Sequence, residues 1–378
     1  MPEIGDYAYL VAPGDDSLTI IDITTPSVPS FEGHISGAGA PNYLSNTWGI
    51  FVLGDYAYVI SNADNSLTII DISTPSAPTY VGHISGLITG SGSPNYIGRP
   101  TNIFVRGDYA YVTSEYCSSL TIIDISTPSS PSYVAHISEY TSGPTGVFVL
   151  GDYAYLACFG QGSLTIIDIS TPSAPSYVGH ISGTGAPNYV GNPTNIFVRG
   201  DYAYLSCYNH ALSIMDISTP SAPTYVGHIN GTGPPNYLGE PYGVFVRGDY
   251  AYVACAGDDS LTIIDISTPS SPSYVAHIGG YGPPNYISYP MGISVFGDYA
   301  YVACWSHNSL TIVDVSTPSA PTYVGHISGI GPPNYLYYAY RVFVADFKEG
   351  NGNSNGSVPD PELDDSSTLM DYIKSGKM

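Results

Sequence analysis

Only 10% of the 378 residues are charged, yet 31 acids against 8 Lys and Arg leave a net charge of −23. No basic patch exists to release counterions from phosphates, which argues against nucleic acid and against an anionic membrane surface as partners. No apolar stretch approaches the roughly 20 residues that span a bilayer, so membrane insertion is not expected. A surface built from Ser, Thr, Asn, Gly and 36 Tyr points to an extracellular or cell-surface protein, although Met1-Pro2-Glu3-Ile4 shows no signal peptide.

In chain order, Gly-Asp-Tyr-Ala-Tyr recurs seven times, starting at Gly5, Gly54, Gly107, Gly151, Gly200, Gly248 and Gly297, at intervals of 44 to 53 residues. Such a period marks a repeat architecture. In the third copy, Asn102 to Val105 is a short apolar run and Arg106-Gly107-Asp108 a turn. Tyr109 to Ser114 alternates aromatic with small residues, the period of a strand. Leu120 to Ile125 is a β-branched strand, Thr127 to Pro131 a Pro-bearing turn, and Tyr133 to Ile137 a fourth strand. Four short antiparallel strands per period predict a propeller blade, all β, with no helical periodicity. The first copy lacks its opening strand, and a spare strand at about 341–345 follows the seventh. Together they complete blade one and close a seven-bladed ring over residues 1–347.

Leu-Thr-Ile-Ile-Asp-Ile-Ser-x-Pro-x-x-Pro resembles the LVIVD repeat, a propeller repeat of bacterial and archaeal, often surface-associated, proteins, and is similar to the YVTN and NHL repeats. The resemblance spans about residues 4–346 and implies the fold. It implies no catalytic motif, because propellers carry enzymes, lectins and scaffolds alike.

The turns between strands one and two and between three and four barely vary. The loops between strands two and three do vary, and with the blade-to-blade crossovers they share the other face, where a ligand or partner is expected. These loops carry Tyr116, Phe159, Tyr208, His210, Trp305 and His307. Six crossovers carry a Pro-Asn-Tyr motif that places Tyr43, Tyr96, Tyr189, Tyr237, Tyr286 and Tyr335 on the same face. Those tyrosines are either contact residues for a partner or turn residues packing on their own blades. The third crossover is short and lacks the motif.

Asp15, Asp16, Asp64, Asp258 and Asp259 lie in loops of neighbouring blades and are candidate calcium ligands, with solvated turn residues as the alternative. No other cofactor is implied. The once-per-blade aspartates (Asp124 and its equivalents) and histidines (His136 and its equivalents) are expected to be structural. Cys158, Cys207, Cys255 and Cys304 share a small-residue slot and are expected to be free buried thiols. Three Arg-Gly-Asp triplets, at Arg106, Arg199 and Arg247, are explained by the turn they occupy.

Residues 348–378 form a Gly/Asn-rich linker and a tail whose Leu369, Met370, Tyr372 and Ile373 are candidate docking anchors. The leading expectation is a non-enzymatic interaction or structural propeller that binds proteins or copies of itself through the Tyr-rich face and the tail. The alternative is a carbohydrate-binding propeller, or a secreted hydrolase with a calcium-assisted site, using Tyr116, Phe159, Tyr208 and Trp305 to stack on sugars.

Overall fold

The computed structural model describes residues 7–86 and 95–344; the candidate tail anchors Leu369, Met370, Tyr372 and Ile373 lie outside them. Seven sheets of four antiparallel strands form the ring. In blade three the strands are Pro100–Arg106, Tyr109–Ser114, Ser119–Asp124 and Ser132–Ile137. The inner strand starts two residues before the expected Asn102, because a bulge at Thr101 shifts the register from Pro100↔Ser114 to Asn102↔Thr113. Blade one closes as predicted: Arg341–Phe343 pairs antiparallel with Tyr7–Ala12, placing Val11 opposite Arg341 and Tyr9 opposite Phe343.

The Leu-Thr-Ile-Ile strand is buried on both faces, which is why it reads as a nearly continuous apolar run. Leu18 and Ile20 pack towards blade two against Ile50, Val59 and Ile70. Ile21 and Ile23 pack the other way, against Leu310 and Ile312 of blade seven. Each such side chain removed from water stabilises by about 1.5–3 kcal/mol. Part of that burial is against a neighbouring blade, so each blade is stabilised by the ones beside it.

The invariant face is turn chemistry. In every blade the strand-three aspartate accepts the amide and hydroxyl of the residue two positions on, as Asp124 Oδ1 does from Ser126 N (2.9 Å) and Oγ (2.6 Å). Gly107 sits at φ +56°, where a Cβ would be strained. The guanidiniums of Arg106 and Arg199 donate to the carbonyls of Gly151 and Gly248 in the following blade, so two of the Arg-Gly-Asp triplets tie blades together. The four repeated cysteines are free and buried, and burial pushes the thiols of Cys158 and Cys207 up to about 12. No helix among the described residues is long and apolar enough to cross a membrane.

Candidate functional site

The variable face has a rim and an axis, and the structure divides the sequence candidates between them. At the rim, each crossover tyrosine stacks on the outer-strand histidine of the next blade. Tyr43 lies over His83 at 3.7 Å between ring centroids, Tyr96 over His136 at 3.4 Å and Tyr189 over His228 at 4.0 Å. Tyr237, Tyr286 and Tyr335 do the same to His277, His326 and His34. The backbone carbonyl of each also accepts a hydroxyl from that next blade, as Tyr43 O does from Thr68 Oγ1 at 3.2 Å. Each tyrosine therefore staples one blade to the next while staying partly exposed.

The short third crossover is no exception. Tyr140 stacks on His180 at 4.5 Å and takes the hydroxyl of Thr165 at 2.7 Å. Tyr140 has φ +54°, like the other six at +48° to +53°. All seven tyrosines stand five residues before the inner-strand bulge (Tyr43 before Trp48, Tyr140 before Thr145). That spacing, rather than Pro-Asn-Tyr, was the signal in the sequence.

The stapled histidines are held from behind. Tyr80 Oη lies 2.8 Å from His83 Nδ1, and the same pair recurs in every blade except the first, where Phe31 has no hydroxyl to give. Burial holds His34, His83, His136, His228, His277 and His326 below the ordinary imidazole value. In the Oη–Nδ1 bond the phenol donates to one imidazole tautomer and accepts from the other.

The loop acids and His210 also belong to the scaffold. Asp64 Oδ2 accepts the amides of Gly39 and Ser45, at 3.2 and 2.8 Å. Asp258 accepts those of Gly233 and Gly239. Asp15, Asp16 and Asp259 take the amides of Tyr337, Asn46 and Tyr289. His210 Nδ1 accepts from Glu240 N at 3.1 Å. Together these side chains fasten four crossovers, and among the described residues no three His, Cys, Asp or Glu side chains converge on a point that could hold a metal. The calcium suggestion is thereby corrected: the carboxylates are spent on backbone amides. His307 faces outward, edge-on to Tyr286 and His326, away from the axis. Tyr116 is 62% exposed and joins no cluster.

The axis is different. A bulge in the inner strands of blades two to seven turns one side chain towards the channel, and Tyr340, just before the closing strand, holds the equivalent place in blade one, giving seven equivalent positions. In blades three, four and five the residue is Thr101, Thr145 and Thr194, and each hydroxyl donates to a proline carbonyl of the next blade at 2.6 to 2.7 Å. In blades six, seven, one and two it is Tyr242, Met291, Tyr340 and Trp48. These line a cavity of about 660 Å³ at the mouth of the channel, with Phe159 and Trp305 from the variable loops. Trp305 stacks on Tyr338 at 4.5 Å and meets Tyr340 edge-on at 5.8 Å. Tyr208 bridges Phe159 and Tyr242, edge-on to both at about 6 Å. Of the residues singled out in sequence, Phe159, Tyr208 and Trp305 are brought together here.

One residue deeper stands a second layer: Arg341 in blade one, asparagine at Asn102 and Asn195, and glycine at Gly49, Gly146, Gly243 and Gly292. Asn102 Nδ2 reaches Asn195 Oδ1 at 3.5 Å across Gly146. A Cβ on Gly292 would come within 2.7 Å of the Tyr340 carbonyl and 2.9 Å of Arg341 Cα, so the closing strand needs glycine beside it. Two residues further on, Phe343, Phe51, Phe104, Phe148, Phe197 and Phe245 form a floor, their neighbouring rings 4.9 to 5.1 Å apart, interrupted by Ser294 in blade seven. Burial and the surrounding phenols raise the Tyr242 hydroxyl well above its ordinary value, keeping it a neutral hydrogen-bond donor.

The LVIVD repeat model matches residues 4–36, 45–85, 97–138, 145–182, 190–231, 239–278 and 289–328. No curated protein matches the sequence. In structure the chain is similar to a functionally unknown protein from Desulfotomaculum acetoxidans (TM-score 0.66, 12% identity, covering 90% of this chain and 98% of that one). It is also similar to a protein from Lactobacillus plantarum (TM-score 0.69, 11% identity, 89% and 98%). A third is the periplasmic gluconolactonase of Pseudomonas aeruginosa (TM-score 0.67, 12% identity, 90% and 99%). At such identities the likeness establishes the propeller fold alone. With seven copies of the motif spread over most of its length, the chain belongs to the LVIVD repeat family.

Proposed function

We propose that the protein is a binding propeller that takes a monosaccharide-sized ring into the cavity at the channel mouth. One observation carries the reading: a position that repetition could have kept uniform is threonine in three consecutive blades and large in the other four. The large arc offers flat apolar faces for the C–H side of a sugar, and buried neutral phenols beside it supply hydrogen bonds. The volume of about 660 Å³ falls in the range of small-molecule sites.

Both tryptophans of the chain, Trp48 and Trp305, line the cavity, so intrinsic fluorescence reports on it directly. Titration with a panel of monosaccharides is expected to change that fluorescence, and Trp305→Ala to weaken binding roughly tenfold or more. Absence of any fluorescence change or heat across the panel would remove the reading.

A second reading, hydrolysis of a sugar lactone, is favoured by Glu115. It is the one carboxylate lining the cavity, with Arg99 3.7 Å away, and a carboxylate there could activate water. The name of the Pseudomonas gluconolactonase supports the same chemistry. Lactone hydrolysis lost in Glu115→Gln would support this reading, and no hydrolysis by the intact chain would end it.

A further inference from the structure

We infer that the cavity is an anion site, in which Arg341 takes the carboxylate or phosphate group of a monosaccharide-sized ligand whose ring lies against the aromatic arc. The inference rests on the binding reading above and adds the ligand's charge.

Arg341 lines the cavity, and its Nε is enclosed without a hydrogen-bond partner. Among the described residues no carboxylate pairs with it and no carbonyl accepts from it. The ring of Tyr340 lies 5.4 Å from the guanidinium carbon, a cation–π contact that uses none of its N–H donors. A desolvated cation is ordinarily paired, because an unpaired one costs several kcal/mol. Here no partner stands among the described residues, and the side chain lines the aromatic cavity described above.

The repeat supplies the control. At the same position the other six blades hold Gly49, Asn102, Gly146, Asn195, Gly243 and Gly292, so pairing of an inner strand does not call for a cation. Closing the ring would be served by glycine or asparagine in blade one as well. With 8 Lys and Arg in 378 residues, placing one at the axis is costly to the scaffold and is explained by a ligand. Guanidinium holds carboxylate or phosphate with paired hydrogen bonds. Glu115, the carboxylate that lines the same cavity, is itself paired with Arg99 at 3.7 Å, which offsets its repulsion of an anion.

The test is calorimetric and fluorescence titration of the full chain with glucose, glucuronate, glucose 6-phosphate, acetate and inorganic phosphate, repeated on Arg341→Met. Glucuronate or glucose 6-phosphate is expected to bind at least roughly tenfold more tightly than glucose, with the preference abolished in Arg341→Met. The stronger of the two identifies the acid group. The comparison within the unaltered chain stands even if the variant does not fold, and a melting curve checks that it does. Equal affinity for glucose and the acidic sugars, or a preference that survives in folded Arg341→Met, would overturn the anion site and leave sugar binding intact. Arg341-dependent binding of acetate or phosphate with no sugar bound would keep the anion site and overturn the sugar reading.

Discussion

Rim and axis lie on the same face of the same disc and obey opposite rules. At the rim seven tyrosine–histidine stacks repeat with centroid distances of 3.4 to 4.5 Å, and even the shortened crossover keeps its copy through Tyr140. At the axis the seven equivalent positions split into a threonine arc and a large apolar arc, and the layer below holds a single arginine. A scaffold contact has to be made at every blade interface, so selection on stability repeats it. A ligand has one orientation, so the residues that meet it break the symmetry.

The comparison can be broken from either side. The largest effect is expected deep on the axis, where the phenylalanine floor is scaffold: Phe51→Ala, between Phe104 and Phe343, should cost about 3–5 kcal/mol in urea unfolding. A cost near zero would mean that the floor is not packed as described. Next, Tyr96→Ala should cost about 1–2 kcal/mol by removing the stack on His136, while leaving affinity for any cavity ligand unchanged. If affinity fell with it, the division between rim and axis would fail.

Acidification addresses six of the staples at once. The six histidines named above have folded pKa values below the unfolded value of about 6.5, so the unfolded chain binds more protons. Their contribution is present above about pH 6.5 and is lost as the pH falls through the folded values. Melting temperature should therefore drop between about pH 6.5 and 5, and a flat profile there would contradict neutral, stacked rings. The smallest effect tests a single hydrogen bond. Phe31→Tyr should supply His34 with the hydroxyl that six other blades already have, adding about 0.5–1.5 kcal/mol. Loss of stability would show that blade one differs for a packing reason.

Strand identities, the closing strand at Arg341–Phe343 and the structural nature of Asp124, His136 and their equivalents were legible because they depend on local pattern repeated seven times. The bulge was not legible, because it is a mismatch between two strands and leaves no mark in either alone. Without it, the alignment of Trp48, Thr101 and Tyr242 around one channel stays hidden. The loop acids misled for a related reason: Asp64 and Asp258 look like free carboxylates until the crossovers fold back and offer their amides. Phe159, Tyr208 and Trp305 were visible as deviations among near-copies, although nothing in the sequence said that they meet.

Sequence alone determined the seven blades, their strands and the way the ring closes, since period-two alternation and Gly-Asp or Pro-bearing turns act over a few residues. Which deviations share a site was decided only by the tertiary structure. Closing the ring brings residues 48, 242, 305 and 341 around one axis, and sidedness about that axis is a property of the whole disc rather than of any blade.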